Sequence, residues 1–176
     1  MDPASPSKSC GDCSLCCKLL AIEAIDKPAD AWCPNFQRGC GCAVYDTRPK
    51  ACADFRCMWL TSDRMDEAWK PNRSHLILYP EQDGRRLNVV VDPACPEAWR
   101  REPYYRRLKA MSQRALDGYS LVICIGRRRI VMFPDQEADL GLVDPDHKII
   151  SGYADRDGET APFAMVVSDV ADGRAA

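Results

Sequence analysis

The sequence predicts an α+β fold: an N-terminal cysteine-rich lobe packed at one end of a small antiparallel sheet that carries one helix. Three observations lead there. Nine of the eleven cysteines fall in one stretch: Cys10, Cys13, Cys16, Cys17, Cys33, Cys40, Cys42, Cys52 and Cys57. From about Trp69 onward, short apolar and β-branched runs alternate with turn residues. Between residues 103 and 116 the apolar residues instead recur at helical spacing. With 176 residues the chain reads as one domain. Residues 1–9 are expected to be a flexible tail, 10–60 the cysteine lobe, 61–170 the α+β part of the same domain, and 171–176 a frayed tail.

The lobe has few regular elements to predict. Leu19 to Ile25 is apolar enough for a short strand or a helical turn, and Lys27-Pro28-Ala29-Asp30 reads as a turn. Cys40-Gly41-Cys42 is a tight loop, and Val44 and Tyr45 suit a short strand. Thr47 can cap a helix with Pro49 in its first turn; that helix carries Cys52 and ends at or just before Cys57. In the second half, Ser74–Tyr79 and Leu87–Val91 form a hairpin around Asp83-Gly84. The helix of residues 103–116 turns Tyr105, Leu108, Met111 (or Ser112) and Ala115 to one side, and Gly118 closes it. Strands follow at Tyr119–Ile125 and Arg129–Phe133, with further ones at His147–Ser151 and Phe163–Val167; Leu140-Gly141-Leu142 reads as a loop.

The cysteines decide the chemistry. Cys16 and Cys17 are neighbours, and a disulfide between adjacent residues is strained. The odd total leaves a thiol over. No apolar segment follows Met1, so no secretory signal is visible, and no apolar run reaches the ~18 residues of a membrane span. The reading is a cytoplasmic protein with reduced thiols. Cys10-x-x-Cys13-x-x-Cys16 with a remote Cys33-Pro34 is the three-plus-one layout of a cubane iron–sulfur cluster. Zinc more often takes two separated C-x-x-C pairs, so a four-iron (4Fe-4S) cluster ranks slightly ahead of zinc. Cys40, Cys42, Cys52 and Cys57 offer further zinc ligands, so both metals stay open. An all-sulfur set disfavours magnesium, calcium and manganese. Neighbouring side chains diverge, so Cys16 and Cys17 serve either two adjacent centres or one centre and a free thiol.

The pattern Cys10-x-x-Cys13-x-x-Cys16-Cys17, Cys33, Cys42-Ala-Val-Tyr45-Asp-Thr-Arg48-Pro49, Cys52, Phe55-Arg-Cys57 resembles the cysteine-cluster family of YkgJ-like zinc- or iron-chelating domains. The resemblance covers roughly the first third of the chain. It implies metal chelation through eight cysteines: Cys10, Cys13, Cys16, Cys17, Cys33, Cys42, Cys52 and Cys57. Cys40 is an extra, a further ligand at most. Members often carry the label iron–sulfur oxidoreductase, which implies no particular substrate. A similar cluster occurs in flagellin lysine methylases, whose chains are much longer.

Other residues frame the site. Arg48 either offsets the negative charge of a cluster or pairs with Asp46 or Asp54. Phe55, Trp59 and Trp32 are expected to shield the centre, which is compatible with ordinary packing. Asp12 and Asp54 are expected near the ligands but not on the metal. His75 is a candidate base for a cysteine, though a lone histidine is more often structural. Cys95 lies in a loop, and Cys124 in an apolar strand that marks it as core. The net charge of −2 gives no overall pull toward nucleic acid or an acidic membrane surface. Arginines at 85–86, 100–101, 106–107 and 127–129 form either a solvated face or a docking patch for an acidic protein. No phosphate loop, dinucleotide fingerprint, G-x-S-x-G or H-E-x-x-H is present. Three functions compete: a metal-binding protein with a structural or metal-handling centre, an iron–sulfur oxidoreductase or electron carrier, and a metal-stabilised interaction module.

Overall fold

The computed structural model describes residues 8–81, 84–156 and 158–168. The predicted frayed tail, most of the predicted N-terminal tail and Asp83 of the predicted hairpin turn lie outside these. The elements in chain order are α1 (Leu15–Leu19), β1 (Phe36–Gln37), β2 (Gly41–Cys42), α2 (Lys50–Asp54), α3 (Met58–Thr61) and α4 (Pro71–Ser74). Then come β3 (Leu76–Glu81), β4 (Arg86–Val91), α5 (Tyr104–Ser112), β5 (Ser120–Ile125), β6 (Arg128–Met132), β7 (Glu137–Leu142), β8 (His147–Arg156) and β9 (Glu159–Ser168). The class is mixed α and β, as the sequence implies. The helix of the second half is α5, prolonged by a 3₁₀ turn over Gln113–Asp117 and closed by Gly118 at φ 80°.

Five strands form one sheet in the order β3-β4-β5-β6-β7. The predicted sheet was antiparallel throughout; the pair β4–β5 is parallel, with Arg86 opposite Ser120 and Val91 opposite Ile125. The physical reason is the connection: the chain leaves β4 at Asp92, passes through α5 and returns in the same direction, as a parallel pair requires. β7 replaces the predicted loop at Leu140–Leu142. It pairs with β6 through a register shift between Arg128 and Ile130, and Gly141 takes φ 69°. β8 and β9 form a separate, long two-stranded ribbon with Gly152 opposite Phe163.

Side chains alternate across the sheet, and both faces are covered. Leu76, Leu78, Val89, Val91, Leu121 and Ile123 join one core with Trp69, Trp99 and Leu108 of α5. The intervening residues face the other way. Val122 and Val131 meet Phe133 and Ile149 under the ribbon, while Ile77 meets Leu15 and Leu19 of α1. The cysteine stretch therefore packs on a face of the β3–β4 pair rather than at an end of the sheet. Polar contacts fasten it there. Lys18 Nζ lies 2.6 Å from an Asp92 oxygen, and Lys70 Nζ 2.7 Å from Asp12. Lys8 Nζ donates to the Ser62 carbonyl at 2.6 Å and lies beside the Trp59 ring.

Candidate metal centre

Short turns position the cysteines. Cys13 N–H donates to the Cys10 carbonyl at 2.8 Å, closing a turn through Gly11, whose φ is 50°. Cys16 and Cys17 sit on the one-turn α1, where successive side chains point roughly 100° apart. Cys33 N–H donates to the Cys17 carbonyl at 2.9 Å, which brings a distant segment alongside. Cys40 lies at the tip of the β1–β2 hairpin and Cys42 at its base, opposite Phe36. Cys52 is in the middle of α2, as predicted, and Cys57 stands at the N-terminal cap of α3. Pro49, not Thr47, holds the cap position of α2; Tyr45–Thr47 is a 3₁₀ turn instead of a strand.

All nine cysteines line one cavity of about 430 Å³, and Cys95 and Cys124 do not. Every one of the eleven thiols is unpaired. Ile22, Phe55, Trp59, Leu60 and Ile77 supply apolar wall. Trp32 does not shield the cavity: it is half exposed and stacks on Phe36 with ring centroids 4.2 Å apart.

The thiols are gathered but not crowded. Among the described residues, no three cysteine sulfurs lie within 4.8 Å of one another. Tetrahedral zinc with bonds of ~2.3 Å sets its thiolates roughly 3.8 Å apart. A cubane spreads them wider, because each binds a different iron.

Burial shapes the acidities. It pushes the Cys13 thiol up, with Cys57 and Cys10 adding to the rise. It pushes Cys57 up as well, with Cys10 as its charged neighbour. It raises Cys52, whose neighbours are Cys17, Cys33 and Cys42. Cys16 and Cys17 share a hydrogen bond that raises Cys16 and lowers Cys17 to about 7; Lys27 helps to lower Cys17.

The sequence marks Lys27 only as part of a turn. Its side chain is buried at 4 % exposure, and its ammonium donates to the carbonyls of Lys18, at 2.8 Å, and Leu20. Burial lowers its pKa, against the opposing pull of Cys33 and Cys17. A buried lysine thus sits beside the Cys33 and Cys17 thiols. Nothing in the sequence marks it, since a lysine before a proline is an ordinary turn residue. Arg48 does line the cavity. It covers the Tyr45 ring at 3.8 Å and donates to the Tyr45 carbonyl rather than pairing with Asp46 or Asp54. Asp54 is held by Lys50. Lys70 holds the exposed Asp12 carboxyl below its usual range, and Asn72 donates to it at 2.9 Å.

His75 is not brought to the thiols. It caps the C-terminus of α4 at φ 59°, with Nδ1 3.7 Å from Asp92. Cys95 packs against the main core, and burial raises Cys124 to about 11. Several of the clustered arginines are engaged by carboxylates: Arg100 by Glu137, Arg107 by Asp66, Arg127 by Asp144 and Arg128 by Asp139. Asp144, Asp146 and His147 form a tight trio on the surface, where Arg127 already engages Asp144. No helix among the described residues is long and apolar enough to cross a membrane.

Comparison with protein-family models, with curated proteins and with solved structures finds no match. The likeness to the cysteine-cluster family is carried by the quoted residues alone.

Proposed function

We propose that the chain is a metal-binding protein whose cysteine lobe holds an iron–sulfur cluster or zinc through Cys10, Cys13, Cys16, Cys17, Cys33, Cys42, Cys52 and Cys57. One observation carries this reading: unpaired thiols from segments far apart in sequence converge on a single cavity of about 430 Å³. The donor set is soft sulfur, the chemistry that selects zinc and iron–sulfur centres over hard cations. The open spacing of the thiols favours a cubane over a mononuclear zinc site. Cys40, exposed at a hairpin tip, stays outside the ligand set. Lys27 and Arg48 place positive charge at the cavity and offset that of bound thiolates. An iron–sulfur centre would supply one-electron chemistry there; zinc would supply structure alone.

A second reading, an electron carrier or oxidoreductase, draws on the exposure of Cys10 at the cavity wall. A centre with an exposed ligand is within reach of a redox partner. Anaerobic purification followed by metal analysis and an absorption spectrum tests both. Brown protein with a broad band near ~400 nm supports the cluster. Colourless protein with stoichiometric zinc removes the redox reading, and protein free of both metals overturns the proposal.

A further inference from the structure

We infer that the cavity is two adjacent four-thiolate sites, one built by Cys10, Cys13, Cys16 and Cys57 and the other by Cys17, Cys33, Cys42 and Cys52. The Cys16–Cys17 peptide is their junction. This rests on the metal-binding reading above and assigns the ligands within it.

The first set is one packing unit. Cys13, Cys16 and Cys57 pack together against Leu15, Leu19 and Ile77, in the layer between α1 and the sheet. Cys10 joins them through the turn that ties its carbonyl to Cys13 N–H at 2.8 Å. The second set is assembled from Cys17 and the segments that follow α1 in the chain. The bond from Cys33 N–H to the Cys17 carbonyl, 2.9 Å, fixes those two residues side by side. The same segment continues through Phe36, which pairs with Cys42 across the hairpin. Cys52 on α2 faces this group: its sulfur neighbours are Cys17, Cys33 and Cys42. Cys57, only five residues later, has Cys10 as its sulfur neighbour instead. The two groups touch through Cys16 and Cys17, adjacent on one helical turn, whose thiols lie against each other.

The sites also differ in charge. Buried Lys27 lies against Cys33, Cys17 and Cys16, and Arg48 lies near Cys52. Near the first set, Lys70 interacts with Cys13 but is already bound to Asp12. Each site takes a thiophilic ion or a cluster and releases the protons of its thiols on binding.

The test uses the whole chain, purified anaerobically with its metal. Chelator is added in steps, and each sample is alkylated in the native state and mapped by mass spectrometry. The thiols are expected to become reactive in two groups, Cys10/Cys13/Cys16/Cys57 and Cys17/Cys33/Cys42/Cys52. Release of all eight together, or in groups that mix the sets, overturns the assignment. As a second arm, Cys57→Ser and Cys52→Ser are each expected to keep about half of the metal, because each spoils one four-thiolate site. In Cys57→Ser the reactive thiols should be Cys10, Cys13 and Cys16; in Cys52→Ser they should be Cys17, Cys33 and Cys42. Complete loss of metal from either folded variant also overturns the assignment. Wild-type protein that binds no metal, with all eight thiols reactive from the start, defeats the metal-binding reading itself and is distinguishable from either result.

Discussion

The cysteine stretch and the sheet are held together in opposite ways. Between residues 10 and 57 the buried side chains are Leu15, Leu19, Ile22, Lys27 and Cys33. Its helices, α1 and α2, have five residues each, far below the ~12–15 at which an isolated helix becomes stable. The sheet, in contrast, alternates apolar residues onto two covered faces and closes long ladders, with Ile123 and Leu108 fully buried. The contrast teaches where each part finds its stability. One part has a core; the other has a cavity lined with thiols where a core would be, and under the proposed metal-binding reading ligation does the work of packing there.

The largest expected effect attacks that contrast directly. Chelation of the metal-loaded protein should strip hydrogen-exchange protection from residues 10–57 and leave β3 to β6 protected. Metal-binding energy is folding energy in a region that cannot bury enough apolar surface alone. Equal protection in both regions after chelation would erase the distinction. Next in size is the reverse experiment. Leu108→Ala opens a hole beneath the sheet and should lower stability by about 2–5 kcal/mol in a denaturant titration. Its metal content under native conditions should match wild type. Loss of metal would mean that the two parts do not stand on separate supports.

The same contrast explains what could be read from the sequence. Strands β3, β4, β5 and β6 were legible because short, continuous apolar runs such as Leu76–Leu78, Val89–Val91, Leu121–Ile123 and Ile130–Met132 stand between turn residues. The parallel direction of β5 was not, since an apolar run carries no sign of direction. β7 was hidden because Asp139 and Gly141 argue for a loop, and ladder pairing overrides that preference. One-turn helices such as α1 are too short to display a period. At the site, cysteine spacing announced the convergence. It could not announce Lys27, which acts by a buried position that no local pattern encodes.

The joint between the two regions comes next. Lys18 on α1 meets Asp92 just after β4 at 2.6 Å. Burial opposes the Asp92 charge, but Lys18, the Ala94 N–H and His75 outweigh it and hold the carboxyl below its ordinary value. A depressed carboxylate stabilises the fold above its unfolded pKa, and that contribution is lost as pH falls through the lower, folded value. The loss therefore belongs below about pH 4, where free aspartate titrates. Asp92→Asn should cost about 2 kcal/mol at neutral pH, less than a fully buried pair because Lys18 keeps some contact with water. It should also flatten the acid limb of the stability curve. A variant whose stability falls in acid as steeply as wild type would show that Asp92 does not carry the joint.

The smallest expected effect sharpens the boundary from the other side. Cys124 is a cysteine of the sheet, not of the cavity. Its side chain packs with Val122, Val131 and Phe133, and its thiol makes only a weak contact, 3.8 Å, to the Val122 carbonyl. Burial pushes the thiol up to about 11, so it stays protonated at neutral pH. A thiol that stays protonated is a poor metal ligand and a poor nucleophile. Cys124→Ala should therefore lose at most about 1 kcal/mol of stability, the scale of one small buried group. It should keep the full complement of metal. Cys13→Ala, in the cavity, should lose about half of the metal while disturbing the sheet little. Metal analysis of the two variants side by side decides the point, and equal metal content would remove the boundary between sulfur that ligates and sulfur that packs.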